Sequence, residues 1–253
     1  MKQHNANKML KTYVINLAGS DQRWSATSLR LKELGVPFER FEAVDGRVNL
    51  HPLFDRYDDK LCERHRRVGL SGSELGCFAS HFKLWEKCLE LDQPIVIMED
   101  DIIIHASFLE AIVVAEKKKE KFPYLRLAGI NLDNRAYKTQ GKVGNFNLID
   151  HVKGPSGAQC YFLTPRAARS FIDNAKIWYL AVDDYMDRYW RNGVRCLSLV
   201  PYPVIRAEFK TDMRRLTKRK KSLYFRIKKE FFALVERFRR SIYRIKHGYK
   251  IQL

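Results

Sequence analysis

The feature that most constrains the fold is a short apolar run that ends at three carboxylates. Ile95-Val-Ile-Met98 follows a turn at Asp92-Gln-Pro94 and continues directly into Glu99-Asp-Asp101. A continuous apolar run bounded by turn residues is typical of a strand that is buried on both faces, as in a parallel sheet covered by helices. The sequence therefore predicts a central strand whose carboxyl end carries an acidic cluster.

Strand and helix patterns alternate before this strand. Residues 13–17 predict a strand, residues 20–35 a helix, and residues 36–44 a second strand. Residues 47–70 are polar and lack periodicity, which predicts an irregular loop. A mainly apolar helix follows over 71–91, and its first residues have the Ser-x-x-Glu spacing of a capping box.

The alternation continues after the acidic cluster. Helices are predicted over 107–121 and 182–191, and a short helix begins at Pro165. Strands are predicted over 124–130, 161–163 and 194–200. Residues 131–147 are rich in Gly and Asn. Such alternation indicates an α/β domain with a mostly parallel sheet. The hydrophobic fraction of 45% excludes a wholly disordered chain, and no apolar run approaches the roughly 20 residues of a membrane span.

The acidic cluster is the strongest candidate for chemistry. In doubly wound sheets, ligands bind at the carboxyl ends of strands, where Glu99, Asp100 and Asp101 are expected. Glu99 and Asp101, two residues apart in an extended segment, would point the same way and could hold a divalent cation through oxygen ligands. The alternative is that acidic residues simply favour the turn after a strand. We prefer the functional interpretation, because adjacent like charges are costly unless a cation or solvent relieves them.

A second acidic pair, Asp183-Asp184, opens a predicted helix. Aspartates in a first helical turn stabilise the helix dipole without any chemical role, so this pair has a plain alternative explanation. His81, within the helix 71–91, is equally compatible with a core or surface position.

Charge is distributed very unevenly along the 253 residues. Lys and Arg total 47 against 29 Asp and Glu, a net charge of +18, and residues 214–253 alone contribute about +13 of it. We therefore predict two parts, a catalytic body over 1–213 and a basic tail over 214–253.

The tail also carries an apolar stripe at helical spacing. Its members recur every three or four residues for about six turns: Leu223, Ile227, Phe231, Leu234, Phe238, Ile242 and Ile245. Such a helix could pack its stripe on the body. Its positive charge instead favours a helix that lies in the interface of an anionic membrane.

Two rival functions remain open at this point. A nucleic-acid-binding protein or metal-dependent nuclease could use the tail on phosphates and the acidic cluster on metals. The second rival is a membrane-bound scaffold without catalysis. The confinement of the basic excess to the tail and the lack of a recognised nucleic-acid motif disfavour the first, so we expect no nucleic-acid partner.

Four segments, in order along the chain, resemble one known family. They read Tyr13-Val-Ile-Asn-Leu-Ala-Gly-Ser-Asp-Gln-Arg23, Val36-Pro-Phe-Glu-Arg-Phe-Glu-Ala-Val-Asp-Gly46, Ser73-Glu-Leu-Gly-Cys-Phe-Ala-Ser-His81 and Glu99-Asp-Asp101. Their order and spacing are similar to glycosyltransferase family 25, the lipooligosaccharide (LPS) glycosyltransferases.

The resemblance implies a GT-A-like (Rossmann-like) nucleotide-sugar-binding domain and an inverting transfer. The donor would be a UDP-hexose, most often UDP-galactose, and the acceptor a lipooligosaccharide core sugar. The protein would then act in the cytoplasm, as a peripheral protein on the inner face of the bacterial inner membrane.

The chemistry of the expected reaction then suggests residue roles. Asp101 would bind Mn²⁺ or Mg²⁺, with Glu99 or Asp100 supporting it or contacting the ribose. Asp183 or Asp184 would be the general base. The remaining matched positions would line the nucleotide site or support it: Asn16, Arg23, Asp45, Glu74 and His81.

Overall fold

The computed structural model describes residues 10–48, 50–66, 68–129, 136–207 and 223–247. Their strands are β1 Lys11–Asn16, β2 Phe38–Glu42, β3 Ile95–Glu99, β4 Ile102–Ile104, β5 Tyr124–Arg126, β6 Tyr137–Val143, β7 Phe146–His151, β8 Cys160–Leu163, β9 Leu197–Val200 and β10 Val204–Arg206. Eight of them form one sheet in the order β2-β1-β3-β8-β5-β9-β7-β6, and β4 pairs with β10.

Helices cover both faces of the large sheet. They are α1 Asp21–Glu33, α2 Asp59–Arg66, α3 Gly72–Leu91, α4 Phe108–Lys117, α5 Pro165–Asn174, α6 Val182–Met186, α7 Tyr189–Asn192 and α8 Leu223–Lys246, with a 3₁₀ helix at Pro52–Arg56. In the described part of the chain, none of these helices is both long and apolar enough to cross a bilayer.

Strand β3 is buried on both faces, as the sequence predicts. Ile95 and Ile97 pack in a core shared with α3 and α5, whereas Val96 and Met98 pack in a second core shared with α1 and α4. Alternate side chains of one strand thus join the two layers of helices, which holds the carboxyl end of β3 in a rigid frame.

The α/β class is confirmed, but the sheet is mixed rather than mostly parallel. β1 runs parallel to β2 and β3, and β5 runs parallel to β9. β8 lies antiparallel between β3 and β5, and β7 is antiparallel to β9 and β6. The expectation failed because the alternation of strands and helices indicates only the order of elements, and a continuous apolar run indicates only burial on both faces; neither carries information about strand direction.

Two local predictions also need correction, and one region without a predicted element forms a hairpin. The stretch 47–70 contains the 3₁₀ helix and α2, whose eight residues are mostly charged, so that no apolar stripe marks the helix. The Gly- and Asn-rich region ends in the β6–β7 hairpin, and Ile130 through Arg135 lie outside the described residues. The helix predicted over 182–191 is two short helices, α6 and α7.

The helix predicted for the tail is confirmed as α8. It packs against α2 and α7 of the body, and residues 208–222 and 248–253 lie outside the described residues. The division at residue 213 therefore stays a prediction.

Candidate functional site

An open cleft lies at the carboxyl ends of β1 and β3, beside the first turns of α3. The two strands are parallel neighbours, with Ile15 opposite Glu99, so the residues that follow them meet at one edge of the sheet. Six residues named from the sequence line the cleft: Arg23, Asp45, His81, Glu99, Asp100 and Asp101. Cys77 and Arg206 also line it, and sequence reasoning did not select either of them.

Asn16 lies beneath the cleft and positions Asp100. Asn16 is almost completely buried, and its Nδ2 donates to Asp100 Oδ2 at 2.5 Å. The other carboxylate oxygen of Asp100 lies 3.6 Å from Arg23 Nη1. Burial raises the pKa of the Asp100 carboxyl, while the amide of Asn16 and the charge of Arg23 oppose that rise. Asn16 thus contributes by orienting Asp100 and does not itself line the cleft.

Asp101 is the least compensated carboxylate of the cluster. Its Oδ2 lies 3.5 Å from Arg206 Nε, but its Oδ1 is buried and has no hydrogen-bond partner among the described residues. Burial raises the pKa of the Asp101 carboxyl to about 7, and the charge of Glu99 adds to the rise. A bound cation would supply the missing partner for Oδ1, so these residues fit a divalent metal ion.

Glu99 ends a chain of hydrogen bonds that begins in the core. Tyr161 Oη accepts from Trp85 Nε1 at 2.9 Å and lies 2.8 Å from His81 Nδ1. That hydroxyl already accepts one hydrogen bond and can donate its own proton to Nδ1, an arrangement that places the imidazole proton on Nε2. Nε2 faces Glu99 Oε1 at 3.3 Å. We therefore assign His81 the role of holding Glu99 in place.

Cys77 adds a third possible metal-ligand atom beside those of His81 and Glu99. It precedes His81 by four residues on α3, so both side chains lie on one helix face. Its Sγ is 3.9 Å from Glu99 Oε1, and the ligand atoms of Cys77, His81 and Glu99 lie within 4.8 Å of one another. Burial and the charge of Glu99 raise the pKa of the Cys77 thiol well above its usual range. The i, i+4 spacing of Cys77 and His81 was the available sequence signal.

The start of α3 is fixed against the loop that follows β2. The predicted capping box is present: Ser71 N donates to Glu74 Oε2 at 2.8 Å, and Glu74 N donates to Ser71 Oγ at 3.2 Å. A Cβ added at Gly76 would lie 2.2 Å from the carbonyl oxygen of Val44. Glu74 is therefore a capping residue, and Gly76 allows the backbone of α3 to approach the loop after β2 closely.

Asp45, in the loop after β2, is paired within that loop. Its carboxylate accepts from the backbone N and from the guanidinium of Arg47, at 3.0, 2.9 and 2.8 Å. These hydrogen bonds from Arg47 lower the pKa of the Asp45 carboxyl. Asp45 and Arg47 thus place a fixed ion pair on the wall of the cleft.

The pair Asp183-Asp184 lies on α6, outside the lining of the cleft. Asp183 Oδ2 accepts from Gly157 N at 3.1 Å, and its Oδ1 accepts from Asp184 N at 2.8 Å. The charge of Asp183 also contributes to the raised pKa of the Cys77 thiol. One turn later, Asp187 accepts from Ser156 N at 2.8 Å. Asp183 and Asp187 therefore bind the loop that precedes β8.

Comparison with known proteins agrees with this geometry. The family model described as glycosyltransferase family 25 (LPS biosynthesis protein) matches residues 9–186. The lipooligosaccharide biosynthesis protein lic2B of Haemophilus influenzae is 34% identical over 36% of this chain and 34% of its own length. A glycosyltransferase 25 family member of Aedes aegypti is 32% identical over 36% of this chain and 16% of its own.

A longer match extends past the acidic cluster. The lacto-N-neotetraose biosynthesis glycosyltransferase LgtE of Neisseria meningitidis serogroup B is 29% identical over 72% of this chain and 68% of its own length. The matches to the first two relatives span about a third and about a sixth of those proteins. Because the family model covers most of the chain, including every residue assigned to the cleft except Arg206, this protein belongs to glycosyltransferase family 25.

Proposed function

We propose that this protein is an inverting glycosyltransferase that moves a hexose from a UDP-sugar to a lipooligosaccharide or lipopolysaccharide core acceptor. Galactose is the sugar that the family resemblance implies. The observation that carries the proposal is the convergence of Glu99, Asp100 and Asp101 in one cleft, where a buried oxygen of Asp101 has no hydrogen-bond partner among the described residues. Such a site suits a ligand that brings positive charge and phosphate oxygens together.

The fold supports a GT-A-like interpretation of the cleft. Strands β2, β1 and β3 run parallel, and the cleft opens at their carboxyl ends, where nucleotides bind in doubly wound sheets. Arg23 supplies a cation beside Asp100, and Asp45 and Arg47 also line the cleft. We assign the nucleotide to these residues, with Asp100 held by Asn16 as the acceptor for a ribose hydroxyl.

Asp101 and Glu99 would hold the divalent cation, Mn²⁺ or Mg²⁺. When bound, that ion supplies positive charge for the leaving diphosphate. His81 keeps the Glu99 carboxylate turned toward the cleft, and Arg206 lies against Asp101. The cluster is therefore preorganised, with its acidic oxygens held by neighbours that do not compete for Asp101 Oδ1.

Inversion requires a base on the side of the sugar opposite the leaving group. The base takes the proton of the acceptor hydroxyl while that oxygen bonds to the anomeric carbon and the bond to the diphosphate breaks. We favour Asp183 over Asp184, because two backbone N–H groups hold the Asp183 carboxylate in a fixed orientation.

The test is transfer and hydrolysis with UDP-galactose, UDP-glucose and UDP-N-acetylhexosamines, with and without Mn²⁺. We expect Asp183→Asn to lower turnover about a hundredfold or more, the usual scale for a general base, with little change in UDP binding. Asp184→Asn is the matched control, with a small effect. Small and equal losses for both would return the pair to a helix-capping role.

A binding screen separates this function from its rival. Thermal stabilisation by UDP with Mn²⁺ is expected for a transferase. Stabilisation by an oligonucleotide alone, without any response to UDP, would contradict the proposal and support a nucleic-acid-binding protein.

A further inference from the structure

Helix α8 is attached to the body by a face that carries charged and aromatic residues. Near its middle, Glu236 accepts from Arg191 Nε at 3.0 Å and from Trp190 Nε1 at 2.9 Å. Arg188 lies 3.4 Å from the same carboxylate. All three partners follow α6 in the body, so a single acidic side chain of the tail is surrounded by groups that only the body supplies.

A second attachment lies near the end of α8. Arg244 is buried, donates to Tyr189 Oη at 2.9 Å, and lies 3.7 Å from Asp150 in β7. One residue earlier, the ring of Tyr243 packs on Tyr189, with centroids 5.5 Å apart. Glu236, Tyr243 and Arg244 lie on one side of the helix, so two attachments two turns apart determine which face of α8 is turned inward.

The apolar stripe therefore faces away from the body. The five stripe members with described side chains have exposed fractions between 48% and 69%: Phe231, Leu234, Phe238, Ile242 and Ile245. Exposed basic side chains border them at Arg237, Arg239 and Lys246. The alternative in which the stripe packs on the body does not hold for these five residues, because the body binds the opposite face.

We propose that this outward stripe docks on an anionic lipid bilayer, with its apolar side chains in the interface and the bordering cations at the lipid headgroups. The arrangement matches an amphipathic helix that lies in the plane of a membrane surface. Since α8 is attached at two points, it would orient the whole domain on the membrane and not act as a loose tether.

Charge complementarity selects the lipid over other occupants. A second copy of this chain would bring the same cations against each other, which disfavours a symmetric pairing of the stripes. A nucleic acid would pair with the cations but would leave the row of Phe, Leu and Ile side chains in water. An anionic bilayer satisfies both the charges and the apolar stripe.

Membrane binding by α8 does not depend on the proposed function. The idea that it brings the enzyme to a lipid-borne acceptor does rest on that function. Together with the proposed function, membrane binding would retain the protein at the inner face of the bacterial inner membrane.

The experiment is vesicle sedimentation with the full chain and no sugar donor. We expect binding to phosphatidylglycerol vesicles that weakens with salt, and weak binding to phosphatidylcholine, because surface attraction is screened over about 8 Å at physiological ionic strength. Leu234→Gln with Phe238→Gln should lower partitioning roughly tenfold or more. Both side chains are mostly exposed, so the fold should be retained.

The matched control is Leu29→Gln with Ile177→Gln. These two body residues are 60% and 55% exposed and receive the same kind of substitution, and we expect wild-type partitioning. Point substitutions are sharper than removal of the tail, because removal would also expose Asp150 and the partners of Glu236.

Three results would overturn the proposal. The stripe variant could sediment as well as the wild type, the control could lose binding equally, or the wild type could form a stripe-dependent dimer or oligonucleotide complex without binding vesicles. Because the assay contains no donor, loss of transferase activity with intact vesicle binding would count only against the proposed function.

Discussion

Replacing Asp101 with asparagine should make the metal-free protein more stable while removing its activity. The reason is the buried carboxylate, one oxygen of which has no partner among the described residues. The folded-state pKa of about 7 lies about three units above the ordinary value, which corresponds to ~4 kcal/mol. Water in the cleft screens part of this penalty, so we expect Asp101→Asn to raise the free energy of unfolding by about 1–3 kcal/mol at pH 8.

The pH dependence of this gain has a definite sign. Since folding raises the pKa of Asp101, the group costs no stability below the unfolded pKa of about 4 and an increasing amount as the pH rises toward about 7. The stability difference between Asp101→Asn and wild type should therefore be near zero at acid pH, grow between these two values, and then level off.

The assay is chemical denaturation across this pH range in the presence of a chelator, followed by thermal unfolding with Mn²⁺ and UDP. Ligand at a hundred times its dissociation constant stabilises the folded state by about 2.7 kcal/mol, so the wild type should gain and the variant should not. Asp45→Asn is the matched control, because Arg47 lowers the pKa of Asp45 and its replacement should not stabilise the protein. A variant that is less stable at pH 8, or that responds fully to Mn²⁺ and UDP, would refute the reasoning.

Three further substitutions test the contacts that hold the cleft and the tail in place. Tyr161→Phe should lower the free energy of unfolding by about 2–4 kcal/mol in chemical denaturation, since buried donors and acceptors, including His81 Nδ1, lose their partner. Burial raises the pKa of Glu236, but hydrogen bonds from Arg191 and from Trp190 outweigh it and lower that pKa to about 2. Glu236→Gln should therefore speed hydrogen exchange in α8 at pH 7, an effect that vanishes as the pH falls from about 4.5 to about 2. Gly76→Ala should lower the free energy of unfolding by about 2–4 kcal/mol, measured by thermal unfolding, because the added methyl group would clash with a carbonyl oxygen of the loop after β2.

Each of these has an outcome that would contradict it. If Tyr161→Phe were as stable as the wild type, the chain of hydrogen bonds that ends at Glu99 would not contribute to the stability of the fold. Glu230→Gln, an exposed change on the same helix as Glu236, is the control for the tail and should leave exchange unaltered. If both glutamate variants behaved alike, the attachment at Glu236 would carry no stability. A fully stable Gly76→Ala protein would mean that α3 and the loop separate freely.

Local patterns were sufficient for several elements. The apolar run 95–98 predicted a strand buried on both faces, because only such a strand leaves no polar position in the run. The Ser71-to-Glu74 spacing predicted the start of α3, since a capping box is formed within one turn. The order of four motifs also indicated the family that the comparison established.

The acidic cluster was predictable as a site but not as a geometry. Glu99 and Asp101 were expected to point the same way from an extended segment, but β3 ends at Glu99 and the chain bends over the next two residues. All three carboxylates reach the cleft, each toward different neighbours. Arg206 arrives there on β10, paired with β4 across about a hundred residues of chain, and no local pattern encodes that approach.

The direction of β8 and the orientation of α8 depended on tertiary structure alone. The amino-acid sequence indicated a strand over residues 161–163 and an amphipathic helix in the tail, because apolar runs and periodicity are properties of neighbouring residues. Which strand lies beside β8, and which face of α8 turns inward, depend on partners far away in the chain. Glu236 pairs with Arg191, and Arg244 lies beside Asp150. These ion pairs exist only in the folded protein, and they orient α8 so that the apolar stripe faces outward.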